Sequence, residues 1–451
     1  MALDPSIIAL LRFLAIPESL YPEPFFIVLV NVIAQFWWVI FPFFLYGILR
    51  LSFVNFMETR WALSPERRSV VLEIRIPQQV TRPLRAMENF FNAIWAIYDP
   101  PKDWRSTFFE GKIILSSSFE IVSTEGVPHF YIRTANANRP LLEGALYAQY
   151  PDLEIIEVPD YVLAVPQDIP NKNWDLWGCD YEMLKPEVYP IKTYDTFFEE
   201  KVDIMEENKR LDPLGSLLEQ YAQTGKGEHI WIQLTAKPIS PKERPYVSAG
   251  KTEIDKITKR YKPPKGNSLL AFIADIFIEI EDKIFGDPFK WAVKSEETQE
   301  LIPQEMRMTS GERDAVLAIE KKISKVCYLC RMRFIYIARR DVFNAALKGL
   351  SGSFTSQFTT QNFNGLKPWG KTITKIQSPD IFKDQRLYVK KRDLFQRYKD
   401  RDPALTAEFV LAVDELATIY HFPGIEVAPT SALGRIEIKK VAPPTTLPIE
   451  D

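Results

Sequence analysis

Between Phe25 and Leu49 the chain reads FFIVLVNVIAQFWWVIFPFFLYGIL, an apolar run broken only by Asn31 and Gln35 and free of charged side chains. At about 1.5 Å per residue it rises roughly 37 Å, enough to cross a hydrocarbon core of about 30 Å with some tilt. The pattern therefore predicts a single transmembrane helix, kinked at Pro42, whose missing N–H leaves a carbonyl unpaired. A cleaved signal peptide wants a basic start, a shorter apolar segment and a small-residue cleavage site, and the preceding residues lack these features. Arg12 is the only basic side chain before the run, whereas Arg50, Arg60, Arg67 and Arg68 follow it, which predicts a cytoplasmic C-terminal side. Asn31 and Gln35 lie four apart on one helical face, where their amides are candidates for self-association with a neighbouring helix. Residues 5–16, PSIIALLRFLAI, are too short to span and read as an interfacial segment on the far side.

Past Ser64-Pro65 the period shortens. RSVVLEIRIP (68–77) alternates as a strand does, and PLRAMENFFNAIWAIY (83–98) has helical spacing. GKIILSSSFEIVST (111–124) and VPHFYIRTA (127–135) read as strands joined around Glu125-Gly126, RPLLEGALYAQYP (139–151) as a helix and DLEIIEVPD (152–160) as a strand. The order β-α-β-β-α-β is the ferredoxin-like plan. A second series follows. CDYEMLKPEVYPI (179–191) looks extended, DPLGSLLEQYAQT (212–224) helical, GEHIWIQLTAKPI (227–239) a strand, GERDAVLAIEKKISKV (311–326) a helix, CYLCRMRFIYIARR (327–340) a long strand and DVFNAALKGLSGSFTSQF (341–358) a helix. The expected fold class is α+β: a single transmembrane helix followed by a ferredoxin-like domain and a second α/β sandwich with a helical insertion. The expected boundaries are an interfacial segment 1–21, an anchor 22–53, a linker 54–67, the ferredoxin-like domain 68–170, the second domain 171–440 with its insertion at about 242–308, and a proline-rich tail 441–451. Within the insertion, TEIDKITKRY and NSLLAFIADIFIEIEDKIF read as helices.

Charge and composition narrow the chemistry. A formal net charge of −3 and a pI near 5.9 give no whole-chain field for nucleic acid, so any such contact has to be local. Cys179, Cys327 and Cys330 are too few for a disulfide framework, and His129, His229 and His421 stand singly, so neither a metal nor a cofactor is expected.

Gly365 to Thr372, GLKPWGKT, satisfies the spacing of a phosphate-binding loop, with Gly365, Gly370, Lys371 and Thr372 as its candidate residues. FVLAVDEL (409–416) could supply Asp414 and Glu415 to magnesium. Context argues against the match. Such a loop follows a buried strand and opens a helix, yet TITKIQSP follows here, Pro368 removes an amide from the loop, and Trp369 crowds it. The alternative expectation has Asp414 capping a short helix. Cys327 and Cys330, three apart in a strand, point to opposite faces. Arg331, Arg333, Lys390, Lys391 and Arg392 form a candidate basic contact surface for phosphates or acidic headgroups, with a solvated face as the plain alternative.

The anchor, VVLEIRIP, FEIVSTEGVPHFYIRT, LLEGALYAQYPDLEIIEV, RFIYIARRDVFNAALKGLSGSFTSQFTTQNFNGLKP, ELATIYHFPG and KKVAPPTTLP resemble the N-terminal region of bacterial conjugative-transfer, type IV secretion-like ATPases. These are relatives of the HerA and FtsK group common in candidate-phyla bacteria. In them the ELAT…HFP element and its proline-rich successor lie just before the ATPase core. The resemblance implies a non-catalytic, membrane-anchored docking subunit of a type IV secretion-like or conjugative DNA-transfer machine. Membrane lipid, a separate ATPase motor chain and further copies of the chain are its expected partners, at the bacterial inner membrane, with direct nucleic-acid contact left open. A P-loop enzyme using Lys371 and Asp414, and a general membrane scaffold unrelated to transfer, are the competing expectations.

Overall fold

In the computed structural model the described residues are 24–77, 84–196, 212–258, 308–360, 363–376, 382–401 and 406–424, and the chain divides into two units. The smaller comprises residues 1–68 and 99–114. Its main element is α1 (Pro24–Ala62), a helix of 39 residues that keeps Pro42 in its interior. Nothing between Arg50 and Ala62 breaks the helix, so most of the expected linker 54–67 is helical, and the chain leaves the helix only before Ser64-Pro65. The expected transmembrane helix is not found: among the described residues no helix is long and apolar enough to cross a membrane. At about 1.5 Å per residue α1 is roughly 58 Å long, and its second half brings in Arg50, Asn55, Glu58 and Arg60, so its length is not set by the apolar run. Gln35 is exposed, while the side chain of Asn31, the interfacial segment 1–21 and the tail 441–451 lie outside the described residues. In the same unit the Arg50 guanidinium lies 5.0 Å from the centre of the Phe108 ring. Gly111 (φ +66) meets the Met57 carbonyl group too closely for any Cβ.

The larger unit, residues 69–98 and 115–451, is built on strands whose alternation was legible: β1 (Ser69–Arg75), β2 (Ser117–Thr124), β3 (Val127–Ala135) and β4 (Glu154–Val158). Helices α2 (Arg85–Ile94) and α3 (Arg139–Gln149) connect them. Glu125 (φ 52) and Gly126 (φ 91) both take left-handed conformations, which gives the two-residue turn whose twist suits a β2–β3 hairpin. β2 starts only at Ser117, so GKIILS is not strand. A second series follows with β5 (Trp174–Met183), α4 (Gly215–Ala222), β6 (Glu228–Ile239), α5 (Tyr246–Ile257), α6 (Ser310–Ser324), β7 (Cys327–Arg339), α7 (Leu350–Ser356) and β8 (Leu366–Pro368). The chain then forms α8 (Lys383–Asp400), β9 (Phe409–Ala412) and α9 (Val413–Ile419). The expected helix NSLLAFIADIFIEIEDKIF lies outside the described residues.

Among the described residues all pairings are antiparallel, in the order β4-β1-β3-β2-β6-β7-β5-β8, with β9 on β7. The first four strands and the last four read outwards in the same pattern, each half meeting the other through its second strand. The expectation of two separate sandwiches is therefore corrected to one nine-stranded sheet. β2 would be an edge strand in a stand-alone half, exposing a row of unpaired amides and carbonyls. Here it registers with β6 from Ser117↔Ala236 to Thr124↔His229.

Both faces of the sheet are covered, which explains why FIYIA in β7 is apolar without alternation: Phe334 to Ala338 are all buried. On one face Met87, Phe90 and Phe91 of α2, Leu142 and Leu146 of α3 and Leu416 of α9 join Leu72, Phe119, Phe130 and Phe334. On the other, Leu394, Phe395 and Tyr398 of α8 meet Val71, Val122, Trp231, Leu176 and Ile335. A Cβ on Gly178 of β5 would come within 2.5 Å of the Phe334 carbonyl oxygen and 2.8 Å of Leu394 Cδ2, so the close approach of α8 to the strand needs glycine there. Gly178→Ala is expected to cost about 1–3 kcal/mol by overpacking. Gly144, in α3 with open space around it, should gain about 0.5–1 kcal/mol on change to Ala. Urea midpoints moving in opposite directions check the pair.

Candidate functional site

Beneath α8 the sheet carries a row of polar side chains directly opposite one another on successive strands: Glu73, Tyr131, Glu120, Gln233, Arg333 and Asp180. Period-2 alternation turns all six to the α8 face. The C-terminal turns of α8 close over the row. Arg401, in a left-handed conformation just past the helix, donates from Nε and Nη2 to the two Glu120 oxygens at 3.0 Å each and also meets Asp160. The Tyr161 hydroxyl donates to Glu120 at 2.8 Å, and Ser118 at 2.6 Å. Gln233 Nε2 donates to Glu120 and to the Tyr398 carbonyl, Arg333 donates to Asp180 and to the Arg397 carbonyl, and Arg397 reaches Asp180 at 3.0 Å. Burial pushes the Glu120 carboxyl up, but the Arg401 charge and the hydrogen bonds from Arg401, Ser118 and Tyr161 outweigh it and hold the group at about 2. Burial pulls the Arg333 guanidinium down despite Asp180. The cluster is satisfied and closed over, so its chemistry is to hold α8 on the sheet rather than to act on a substrate.

A second cluster joins α9 to α6. Lys322 pairs with Glu415 at 2.9 Å and donates to the Val410 carbonyl, and Lys325 bridges Glu88 at 2.7 Å and Asp414 at 3.0 Å. The Glu415 carboxylate also accepts from the Ala412 and Ile191 amides. It is Glu415 that caps α9 by reaching back to Ala412, so the expectation that Asp414 is the cap is corrected. Burial raises the Glu415 carboxyl against the pull of Lys322. The two candidate magnesium ligands are thus committed to lysines.

The GLKPWGKT segment is an edge rather than a phosphate loop. Leu366–Pro368 form β8 on Tyr181–Met183, where Pro368 costs little because an edge strand leaves one side unpaired. Beyond it the Trp369 amide donates to the Asp180 carbonyl, the Thr372 hydroxyl accepts from the Asp180 amide at 3.1 Å, and Thr374 exchanges bonds with Gly178. Thr372 is buried in this role. Lys371 Nζ lies 5.2 Å from the Trp369 ring centre. Lys371 and Gly370 line one cavity and Asp414 another, so the structure does not bring the P-loop candidates together.

The candidate basic surface is likewise divided. Arg331 and Arg333 share a strand face, but Arg333 is buried against Asp180 and Arg331 pairs with Glu408 at 3.0 Å, so neither presents an open cation. On α8, Lys391 pairs with Asp175 and Arg392 donates to the Asp168 carbonyl, while Lys390 lines the cavity that holds Lys371. Cys327 and Cys330 fall in different apolar clusters, and burial raises both thiols, Cys327 to about 12. Among the described residues no group of His, Cys, Asp and Glu could hold a metal ion. Glu120, Asp180, Gln233, Arg397 and Arg401 escaped the reading of the sequence. For Glu120 and Gln233 the signal was a charged or amide side chain at the centre of an otherwise apolar strand, as in SFEIV and WIQLT, whereas Arg397 and Arg401 sit in and just past a highly charged helix that hides them. No known family model matches the chain, and no curated protein does.

A carboxyl held at about 2 when folded and near 4.3 when unfolded contributes stability that is complete above the unfolded value and lost as the pH falls through the folded one. Acid unfolding is expected to remove about 3 kcal/mol between pH 5 and 2 through Glu120 alone. Glu120→Gln should flatten that limb and, by leaving Arg401 with Asp160 as its carboxylate partner, cost less than the roughly 3–5 kcal/mol of a fully broken buried pair at neutral pH, both read from urea titrations across pH.

Proposed function

We propose that the chain is a non-catalytic docking or scaffold subunit of a type IV secretion-like or conjugative DNA-transfer machine, recruiting a separate ATPase chain. The resemblance in ELATIYHFPG and the other segments quoted above motivates the machine. The observation that carries the non-catalytic part is that Lys371 and Asp414, which a P-loop reaction needs side by side, line different cavities, with Asp414 tied to Lys325. The docking part draws on the C-terminal element: β9 pairs with Cys327–Cys330 of β7, and α9 is buried along its whole length and pinned by two lysines. Such an element holds whatever binds near it at a fixed position on the sheet. Recruitment of a motor is read by affinity purification from native cells: recovery of an ATPase of the HerA and FtsK group supports the reading, and its absence counts against it. Calorimetry with ATP and magnesium is expected to show no binding up to millimolar nucleotide. Binding that disappears in Lys371→Ala would overturn the proposal in favour of a P-loop enzyme.

A further inference from the structure

The histidines differ in how their rings are held. His129 pairs with Glu73, and His421 with Asp212 and the Ala417 carbonyl. His229 has no such partner: its ring is buried, and among the described residues nothing hydrogen-bonds its Nδ1. It stands at one end of the β2–β6 junction, opposite Thr124 of β2 on one side and Ile337 of β7 on the other. Trp174 of β5 stacks on it with ring centres 5.8 Å apart, and Trp231 lies 6.1 Å away. A neutral imidazole suits these surroundings, because one nitrogen carries no proton and the ring body is covered by apolar groups. An imidazolium does not, because Nδ1 then becomes a buried donor with no acceptor.

The charged groups around the ring are already engaged. From the β2–β3 turn, Glu125 accepts from the Gly227 amide at 3.0 Å, which ties the turn to the start of β6. On β6 itself, Glu228 accepts from the Tyr336 hydroxyl at 2.6 Å and from the Gly225 amide at 2.9 Å. Arg339 of β7 lies against Gly227 and pairs with Asp341 at 3.2 Å. From the α8 face, Tyr161 and Tyr398 pack on Trp231. Burial lowers the hold of His229 on its proton, against the pull of Glu125 and Glu228. The folded value thus lies below the unfolded one of about 6.5. Between the two the unfolded chain binds more protons, so stability is full above about pH 6.5 and falls as the pH drops through the folded value. Glu120, held at about 2, titrates well below this window.

We propose that His229 is an acid-sensitive fastener of the sheet: on taking up a proton its Nδ1–H draws Glu125 off the Gly227 amide, and the Thr124–His229 end of the β2–β6 junction opens while the Glu120–Gln233 stretch stays closed. The device belongs to the sheet and is independent of the docking role proposed above.

The test is hydrogen exchange of the full-length chain at about pH 7.5, 6.5 and 5.5, values that bracket the ordinary histidine range, corrected for the intrinsic dependence of exchange on pH. Opening of the amides of residues 122–125 and 228–231 is expected to increase below about pH 6.5, by up to about tenfold per pH unit for the one proton taken up. Amides of residues 117–120 and 233–236 should not follow. His229→Phe keeps a ring against Trp174 and should abolish the increase. Glu125→Gln, at an exposed position, keeps an acceptor for the Gly227 amide but removes the charge, and should move the onset to lower pH. Should His229→Phe fail to fold, an NMR titration of the His229 ring in the wild type decides the matter, since its midpoint must lie below about 6.5 and coincide with the opening. No pH-dependent opening at this end, the same opening in His229→Phe, an onset unmoved in Glu125→Gln, or a ring that titrates apart from the opening would each overturn the proposal.

Discussion

The bidentate ion pair between Arg401 and Glu120 is the constraint on which the larger unit depends. Glu120 is fully buried in the middle of β2, and an isolated carboxylate there would be prohibitively costly. Arg401 answers it from just beyond α8, and the answer requires the end of the helix to sit over the junction of the two half-sheets. Once it does, Arg397, Tyr398 and Arg401 contact strands from both halves: Glu120 on β2, Gln233 on β6, Asp180 on β5 and Arg333 on β7. A helix whose sequence is dominated by charge thereby becomes a clamp, while its apolar contribution is confined to Leu394, Phe395 and Tyr398.

The same economy governs the second cluster. Lys322 and Lys325 on one side, Glu415, Asp414 and Glu88 on the other, hold α9 where its apolar residues complete the opposite face of the core. Buried ionic groups of this kind contribute less to net stability than to choosing one arrangement, because a misplaced partner strands a charge. The docking role proposed above would draw on that trade, since its output is a fixed position for a neighbour.

Much of this architecture was legible before the structure. Alternation in VVLEIR, FEIVST and HFYIRT located strands, and the Glu125-Gly126 turn located a hairpin, because these depend on residues close in sequence. The pairing of β2 with β6 was not, since it joins residues more than a hundred positions apart and leaves no local mark. The long apolar run suggested a bilayer span, but the helix it belongs to extends through Arg50, Glu58 and Arg60 to Ala62. The P-loop spacing was set against Pro368 and Trp369 in the sequence, but the role of Thr372 as a cover for the edge of β5 could be seen only in three dimensions. Arg333 read as a surface cation because its partner Asp180 lies 153 positions away.

Hydrogen exchange measured by mass spectrometry tests the central claim, that the two half-sheets and α8 form one cooperative platform. In one cooperative platform the central amides of β2, β5, β6 and β7 and the last two turns of α8 open together, with one shared free energy. Separate openings for residues 69–158 and 174–339, with α8 exchanging ahead of both, would contradict it.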